Sequence, residues 1–447
     1  MSVIAFLGHQ DHCSIVAWRD TRPLRVSDFL NDLAVVAGAL PERRYVINLC
    51  KDRYRFAVGL AAALLREQVS LLPPAHTPEL LRTLKNGYAG LYALCEGGTQ
   101  TDVLETVRYP EVSRTGLESG LPAFPASRPA AIAFTSGSTG EPTAHPKSWG
   151  GLALGAVGEA QRLGLEGAGG VTVLGTVPPQ HMYGLEATVL MALRNGLALH
   201  AGRPFYPADI RAALERIPGE RVLVTTPVHL RALLAEERSL PSLRLILCAT
   251  APLPAELAAE AEARYSAPLH EVYGFTEAGM VATRRTTQGP QWHALPGVRL
   301  WRDERGIRVS GGHVPEEVGA SDVIVLEDPH TFSLHGRSAD LVNIAGKRSS
   351  LAYLNQQLVA IEGVEDGVFF MPDERQASIT RLIAFVVAPG LSRQALLSAL
   401  RARIDPAFLP RPLLYVDALP RDATGKLSRE ALTGLVQAAG ARRGPDA

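Results

Sequence analysis

Thr135-Ser136-Gly137-Ser138-Thr139-Gly140 follows an apolar run, Ala131-Ile132-Ala133-Phe134, and leads into Glu141-Pro142. Small residues let a backbone turn sharply and aim its N–H groups at phosphate oxygens, and the hydroxyls of Thr135, Ser136, Ser138 and Thr139 add donors. This is the chemistry of a phosphate cradle. It is not a Walker A motif, because no Gly-Lys-Ser/Thr follows and the next lysine, Lys147, comes seven residues after Gly140. A flexible Ser/Gly connection is the competing reading. Further strings carry chemistry-bearing residues: Pro178-Pro179-Gln180-His181-Met182-Tyr183-Gly184, Tyr273-Gly274-Phe275-Thr276-Glu277, and Gly425-Lys426 in a loop after Pro420. Taken singly each is weak. A lone histidine after a strand is ordinarily structural, a lone Thr-Glu pair carries no meaning, and a Gly-Lys in a loop is ordinarily surface. The four cysteines, Cys13, Cys50, Cys95 and Cys248, have neither CxxC spacing nor a histidine at metal-ligand spacing, which argues against a structural zinc or a disulfide framework.

The elements that must position these strings alternate between short β-rich runs and helical patterns. Runs at 45–50, 69–73, 90–97, 171–177, 198–202, 221–226 and 243–249 read as strands, and the segments 55–67, 78–88, 186–196, 208–217, 229–237 and 254–265 read as helices. This alternation predicts an α/β fold whose largely parallel sheets are flanked by helices. Residues 98–128 are rich in Thr, Ser, Gly and Pro and read as an irregular connection. Short alternating runs from about 290 to 335 predict a β-rich subdomain. The last hundred residues predict a small α+β unit, with strands at 381–389 and 412–420 and a helix at 395–404. The chain is therefore expected to divide into a large domain, 1–338, and a small one, 339–447, in keeping with a length of 447 residues.

The strings, in this order, resemble the motifs of the acyl-adenylate-forming superfamily: acyl-CoA synthetases, adenylation domains of non-ribosomal peptide synthetases and firefly luciferase. TSGSTGEP resembles its phosphate loop, although the pattern has a lysine directly after the proline and this chain has Thr143. The resemblance implies ATP and Mg²⁺, with Thr135 to Gly140, Ala249, Thr250, Ala251 and Tyr273 around the nucleotide. It further implies Thr276 at the α-phosphate, and Glu277 and Thr139 at the metal, in keeping with the preference of magnesium for a carboxylate plus phosphate oxygens. His181, Tyr183, Thr225 and Gly274 would line the acid pocket. Asp322, fifteen residues before Arg337, would accept from the ribose hydroxyls as carboxylates do in dinucleotide sites, with Asp328 as the competing candidate. Ala339 falls at the hinge, and Gly346 and Arg348 at the tunnel for the acceptor thiol. Lys426, in Pro420-Arg421-Asp422-Ala423-Thr424-Gly425-Lys426, would be the catalytic lysine on a small domain that moves between half-reactions.

The compact chain and its opening also resemble the stand-alone AMP-ligases of bacterial xanthomonadin and aryl-polyene pigment clusters. That implies 3- or 4-hydroxybenzoate as substrate and an acyl carrier protein acting in trans as acceptor. CoA stays open as acceptor, a homodimer stays open, and a fatty acyl-AMP ligase and a non-catalytic nucleotide-binding relative are the alternatives. Forty-five basic residues balance forty-five acidic ones, so no net charge favours nucleic acid or an anionic membrane. No apolar run approaches bilayer length and the first residues do not read as a signal peptide, so the expected location is the cytoplasm.

Overall fold

The computed structural model describes residues 2–97, 101–111, 120–136, 142–337, 341–344, 347–372, 382–422 and 425–441. Within the larger part of the chain two sheets are built from the predicted βα rhythm. A six-stranded sheet runs in the order 142–148, 129–136, 69–72, 45–48, 92–95 and 105–108. Its inner strands pair in parallel, and its edge is a hairpin formed by β1 (Pro129–Ser136) and β2 (Pro142–Ser148), which flank the Ser/Gly loop. Helix α1 (Trp149–Arg162) follows β2 at once, and Ser148 caps it by accepting from the Gly151 N–H at 3.1 Å.

The larger sheet has eleven strands. Its centre is parallel: 15–19, 198–200, 171–175, β3 (Glu220–Thr225), 245–248 and β4 (Leu269–Phe275). Runs such as Leu245–Cys248 and Val171–Gly175 are buried throughout, as strands covered on both faces must be. Helix α2 (Pro227–Ala235) follows β3 and is capped by Thr226. From β4 the sheet turns antiparallel, through β5 (Gly279–Arg284) and residues 291–294, to the edge pair β6 (Asp322–Leu326) and β7 (Thr331–Arg337).

Residues from 342 onward bury their own cores. Helices α3 (Leu351–Val359) and α4 (Arg393–Arg401) cover one face of a three-stranded sheet, and α5 (Arg429–Ala441) the other. The strand Ile383–Val387 shows why. Ala384 and Val386 join one cluster, with Leu354, Leu358, Leu396 and Leu400, while Ile383, Phe385 and Val387 join the other, with Leu419 and Leu432.

Three expectations need correction. Residues 98–128 are not wholly irregular, because Glu105–Arg108 adds a parallel edge strand and Ala123–Pro125 pairs with Val3–Ala5. The span 290–335 is not one subdomain. Residues 298–320 form a three-stranded antiparallel sheet, whereas 291–294, β6 and β7 extend the large sheet. The predicted strand 412–420 shrinks to Leu413–Tyr415. No helix among the described residues is long and apolar enough to cross a membrane.

Candidate active site

The string 178–184 sits where the strand Val171–Gly175 ends, at the carboxyl edge of a parallel sheet, where α/β folds place ligands. Its shape depends on Gly184. A Cβ there would lie 1.9 Å from the Pro178 carbonyl oxygen, so only glycine lets the segment double back. Tyr183 is buried, and its hydroxyl donates to the carbonyls of Leu247 (3.0 Å) and Thr225 (3.3 Å), stitching the segment to two strand ends. The Thr225 hydroxyl is engaged with Thr176 at 3.2 Å. His181, half-buried at the tip of the segment, faces the small unit, and Lys426 Nζ lies 3.4 Å from its Nε2. Burial, and next the Lys426 ammonium, pull the imidazole down to about 3. It is therefore neutral at physiological pH, accepts at Nε2 from the ammonium, and carries its proton on Nδ1.

Lys426 is held by a braced loop. Its N–H donates to the Asp422 carboxylate (3.0 Å), its carbonyl accepts from the Asp422 N–H (2.9 Å), and Arg421 clamps the loop to the strand Asp366–Phe370 through a two-point ion pair with Asp366 (2.8 and 2.7 Å). Gly425 lies against Thr226 and Val228 at the start of α2, so the two parts of the chain touch beside the lysine.

On the other side of the site the β4–β5 turn presents Thr276 and Glu277. Gly274 sits at a bulge in β4 and faces Gly279, whose φ of +79° makes the turn possible. The β1–β2 hairpin reaches the same turn. Thr135 Oγ1 is 2.9 Å from His145 Nε2, His145 Nε2 is 3.8 Å from Glu277 Oε1, and Lys147 Nζ donates to the Glu277 carbonyl at 2.6 Å. Beneath the turn lie buried acids. A Cβ on Gly279 would be 2.5 Å from Glu186 Oε1. Burial raises Glu186 to about 7 although Lys147 pulls the other way, and burial pushes Glu159, in α1, well above the carboxylate range. Lys147 itself is lowered by burial, against the pull of Glu186 and Glu277.

The edge of the large sheet supplies a third group. Asp322 and Arg337 are direct partners across β6 and β7, and the Tyr273 hydroxyl donates to Asp322 at 2.6 Å. Asp328 is spent on the turn between those strands, accepting from the N–H groups of His330 (2.6 Å) and Thr331 (2.8 Å). Ala249, Thr250 and Ala251 follow the strand Leu245–Cys248, and Thr250 holds φ at +82°, a strained value for a β-branched residue. Gly137, Ser138, Thr139, Gly140, Ala339 and Gly346 lie outside the described residues, and for Ser136, Arg337 and Arg348 only the backbone is described.

Two further groups stand at the site outside the motif strings. Arg53 is fully buried and ties together the strand ends behind His181. Its only sequence signal is a cation in the apolar stretch RYRFAVGLAAAL. Lys147 has a clearer signal, two residues beyond His145 on one strand. Among the described residues no three His, Cys, Asp or Glu side chains converge into a metal cage. Glu277, with a side chain 41% exposed, is a lone carboxylate. That donor set suits a magnesium ion that arrives on phosphate oxygens and keeps its waters.

The family model described as AMP-binding enzyme matches residues 41–310. A 4-coumarate–CoA ligase of Rhodobacter capsulatus is 30% identical over 300 residues, 66% of this chain and 74% of the relative. A 2-succinylbenzoate–CoA ligase of Bacillus velezensis is 24% identical over 446 residues, covering 90% of this chain and 87% of the relative. The solved structure of O-succinylbenzoate coenzyme A synthetase from Bacillus subtilis, in complex with ATP and magnesium, superposes with a TM-score of 0.80 at 18% identity, over 94% of this chain and 96% of that one.

Proposed function

This chain belongs to the AMP-binding enzyme family and is an AMP-forming acid–thiol ligase, and on that premise we propose that it uses Mg-ATP to activate an aromatic acid, 3- or 4-hydroxybenzoate, for transfer to the thiol of a carrier protein. The observation that carries this reading is the 3.4 Å approach of Lys426 to His181. It joins a lysine of the small unit to the strand-end segment that lines the acid pocket.

In the first half-reaction a carboxylate oxygen of the acid attacks the α-phosphorus of ATP. The new O–P bond forms as the bond to pyrophosphate breaks, and pyrophosphate leaves with the electron pair. Both reactants are anions, so the protein must hold them in line and offset their repulsion. The Lys426 ammonium, carried on a loop whose backbone Asp422 and Arg421 brace, meets both the carboxylate and the ester oxygens in this reading. A neutral His181 leaves that ammonium's charge undiluted. Asp322, poised by Tyr273, accepts from the ribose, and Thr276 meets the α-phosphate. Glu277, with Thr139, would hold a magnesium ion, which would neutralise phosphate charge when bound. In the second half-reaction the thiol sulfur attacks the acyl carbon and AMP leaves. The small domain, with its boundary between 338 and 339 and its hinge at Ala339, turns Lys426 away and brings the Gly346 and Arg348 segment to the acceptor.

CoA is the second reading for the acceptor, and the names of the relatives favour it, since they are CoA ligases. Pyrophosphate release with Mg-ATP, measured separately with 3-hydroxybenzoate, 4-hydroxybenzoate, benzoate and a medium-chain fatty acid, tests the substrate. A hydroxybenzoate should stimulate release at least about tenfold over the fatty acid, the selectivity that a shaped polar pocket gives. Stimulation by the fatty acid alone would discard the aromatic reading and leave a fatty acyl ligase.

A further inference from the structure

We propose that Lys147 is the positioning lysine of the nucleotide site, a cation that fixes the Thr276–Glu277 turn to the phosphate-loop hairpin and faces the phosphates of Mg-ATP. The proposal rests on the adenylating reading of the site and adds to it a residue that the motif pattern does not mark.

Residues two apart on a strand share a face, so Thr143, His145 and Lys147 line one side of β2. The contacts show which side. His145 is 3.8 Å from the Glu277 carboxylate and Lys147 donates to the Glu277 carbonyl at 2.6 Å. The hairpin from 129 to 148 contains one lysine, so this is its only ammonium. It stands at a rigid place, because Ser148 next to it caps α1. Its opposite pole is also built in. Glu186 lies under the same turn, close enough that Gly279 has no room for a side chain. An ammonium drawn by a buried acid and an exposed carboxylate, on the strand that leaves the phosphate loop, is held at the turn that carries Thr276 and Glu277. At Thr143, two ladder steps nearer the loop, a lysine would lie on the same face, so the chain carries the cation further along the same strand.

The test is Mg-ATP binding by calorimetry, together with KM and kcat for pyrophosphate release. Methionine keeps the length of the stem and removes the charge. Lys147→Met should raise both Kd and KM for Mg-ATP about 10- to 100-fold, the range for loss of a charge-assisted contact, and leave kcat within about threefold. Lys147→Gln, which keeps a donor for the Glu277 carbonyl but no charge, should behave like Lys147→Met. Lys147→Arg, and the relocated pair Thr143→Lys with Lys147→Met, should recover most of the binding. The relocated pair keeps the measurement decisive if Lys147→Met alone folds poorly. Binding by Lys147→Met within about twofold of wild type, or a fall in kcat at unchanged Kd, would overturn the assignment while wild-type pyrophosphate release upheld the reading beneath it. A wild-type protein that neither binds Mg-ATP nor releases pyrophosphate would overturn both.

Discussion

Lys426→Ala lowers the rate of acid-dependent pyrophosphate release by roughly two to three decades, about 3–4 kcal/mol of transition-state stabilisation. The loss falls on kcat because the ammonium acts on charge that moves between the carboxylate and the ester oxygens, an interaction weaker in the ground state. The loop needs no rebuilding to absorb the change. Asp422 is bonded to the backbone of residue 426, and the clamp of Arg421 on Asp366 involves no atom of the lysine side chain. Thermal stability should therefore stay near wild type. Transfer from preformed acyl-adenylate to the thiol should be largely intact if, as proposed, the small domain carries Lys426 away before that step. Equal loss in both half-reactions would show that the lysine serves the fold or the acceptor rather than adenylation.

Arg53→Met has the largest expected effect on stability. Nε donates to Thr188 Oγ1 at 2.8 Å, one terminal nitrogen to the carbonyls of His200 (3.1 Å) and Gly202 (2.8 Å), and the other to those of Gly175 (3.0 Å) and Val177 (2.8 Å). Among the described residues no carboxylate accepts from it. Burial pulls the guanidinium down to about 9, so it stays charged at neutral pH and its solvation is wholly these oxygens. Removing it relieves the cost of a buried charge. It also takes the donor from four carbonyls and from the Thr188 hydroxyl, which keeps its bond to Gly184, at about 1–3 kcal/mol for each buried group left unpaired, and the second term wins. A net loss on the order of 3–5 kcal/mol is expected in urea unfolding, with Arg53→Lys recovering only part because an ammonium cannot span the fork. Activity should fall as well, since Val177 leads into the His181 segment and Thr188 bonds the Gly184 carbonyl. A loss below about 0.5 kcal/mol would mean that water replaces the guanidinium.

The parallel core could be read from sequence because its strands are short apolar runs separated by helices with strong periodicity. The strand Ile15–Arg19 could not, since its partner Ala198–His200 lies about 180 residues away and nothing local announces the pairing. The helix predicted over 186–196 begins as a wider π-turn at Leu185–Leu190. There the Thr188 hydroxyl bonds back to Gly184 and receives Arg53, a tertiary cause that periodicity does not carry. At the site, motif order placed His181 and Lys426 in one enzyme, and the structure adds their approach across two separate cores. The spacing of Asp322 and Arg337 translated directly into a cross-strand pair because a tight antiparallel ladder joins them. The expected lysine after Pro142 is absent, and Lys147, visible in the sequence as the next lysine after the loop, has no role legible there because its contact is with Glu277, 130 residues on.

Adenylation requires that a carboxylate oxygen of the acid become bonded to the α-phosphorus of ATP. Labelling the carboxyl group of the accepted acid with ¹⁸O, running the complete reaction to the thioester and weighing the nucleotide by mass spectrometry tests it directly. Adenylation predicts AMP that carries one ¹⁸O atom per acyl group transferred, left behind when the thiol takes the acyl carbon. ADP as the nucleotide product with the label in free phosphate, or unlabelled AMP, would contradict it.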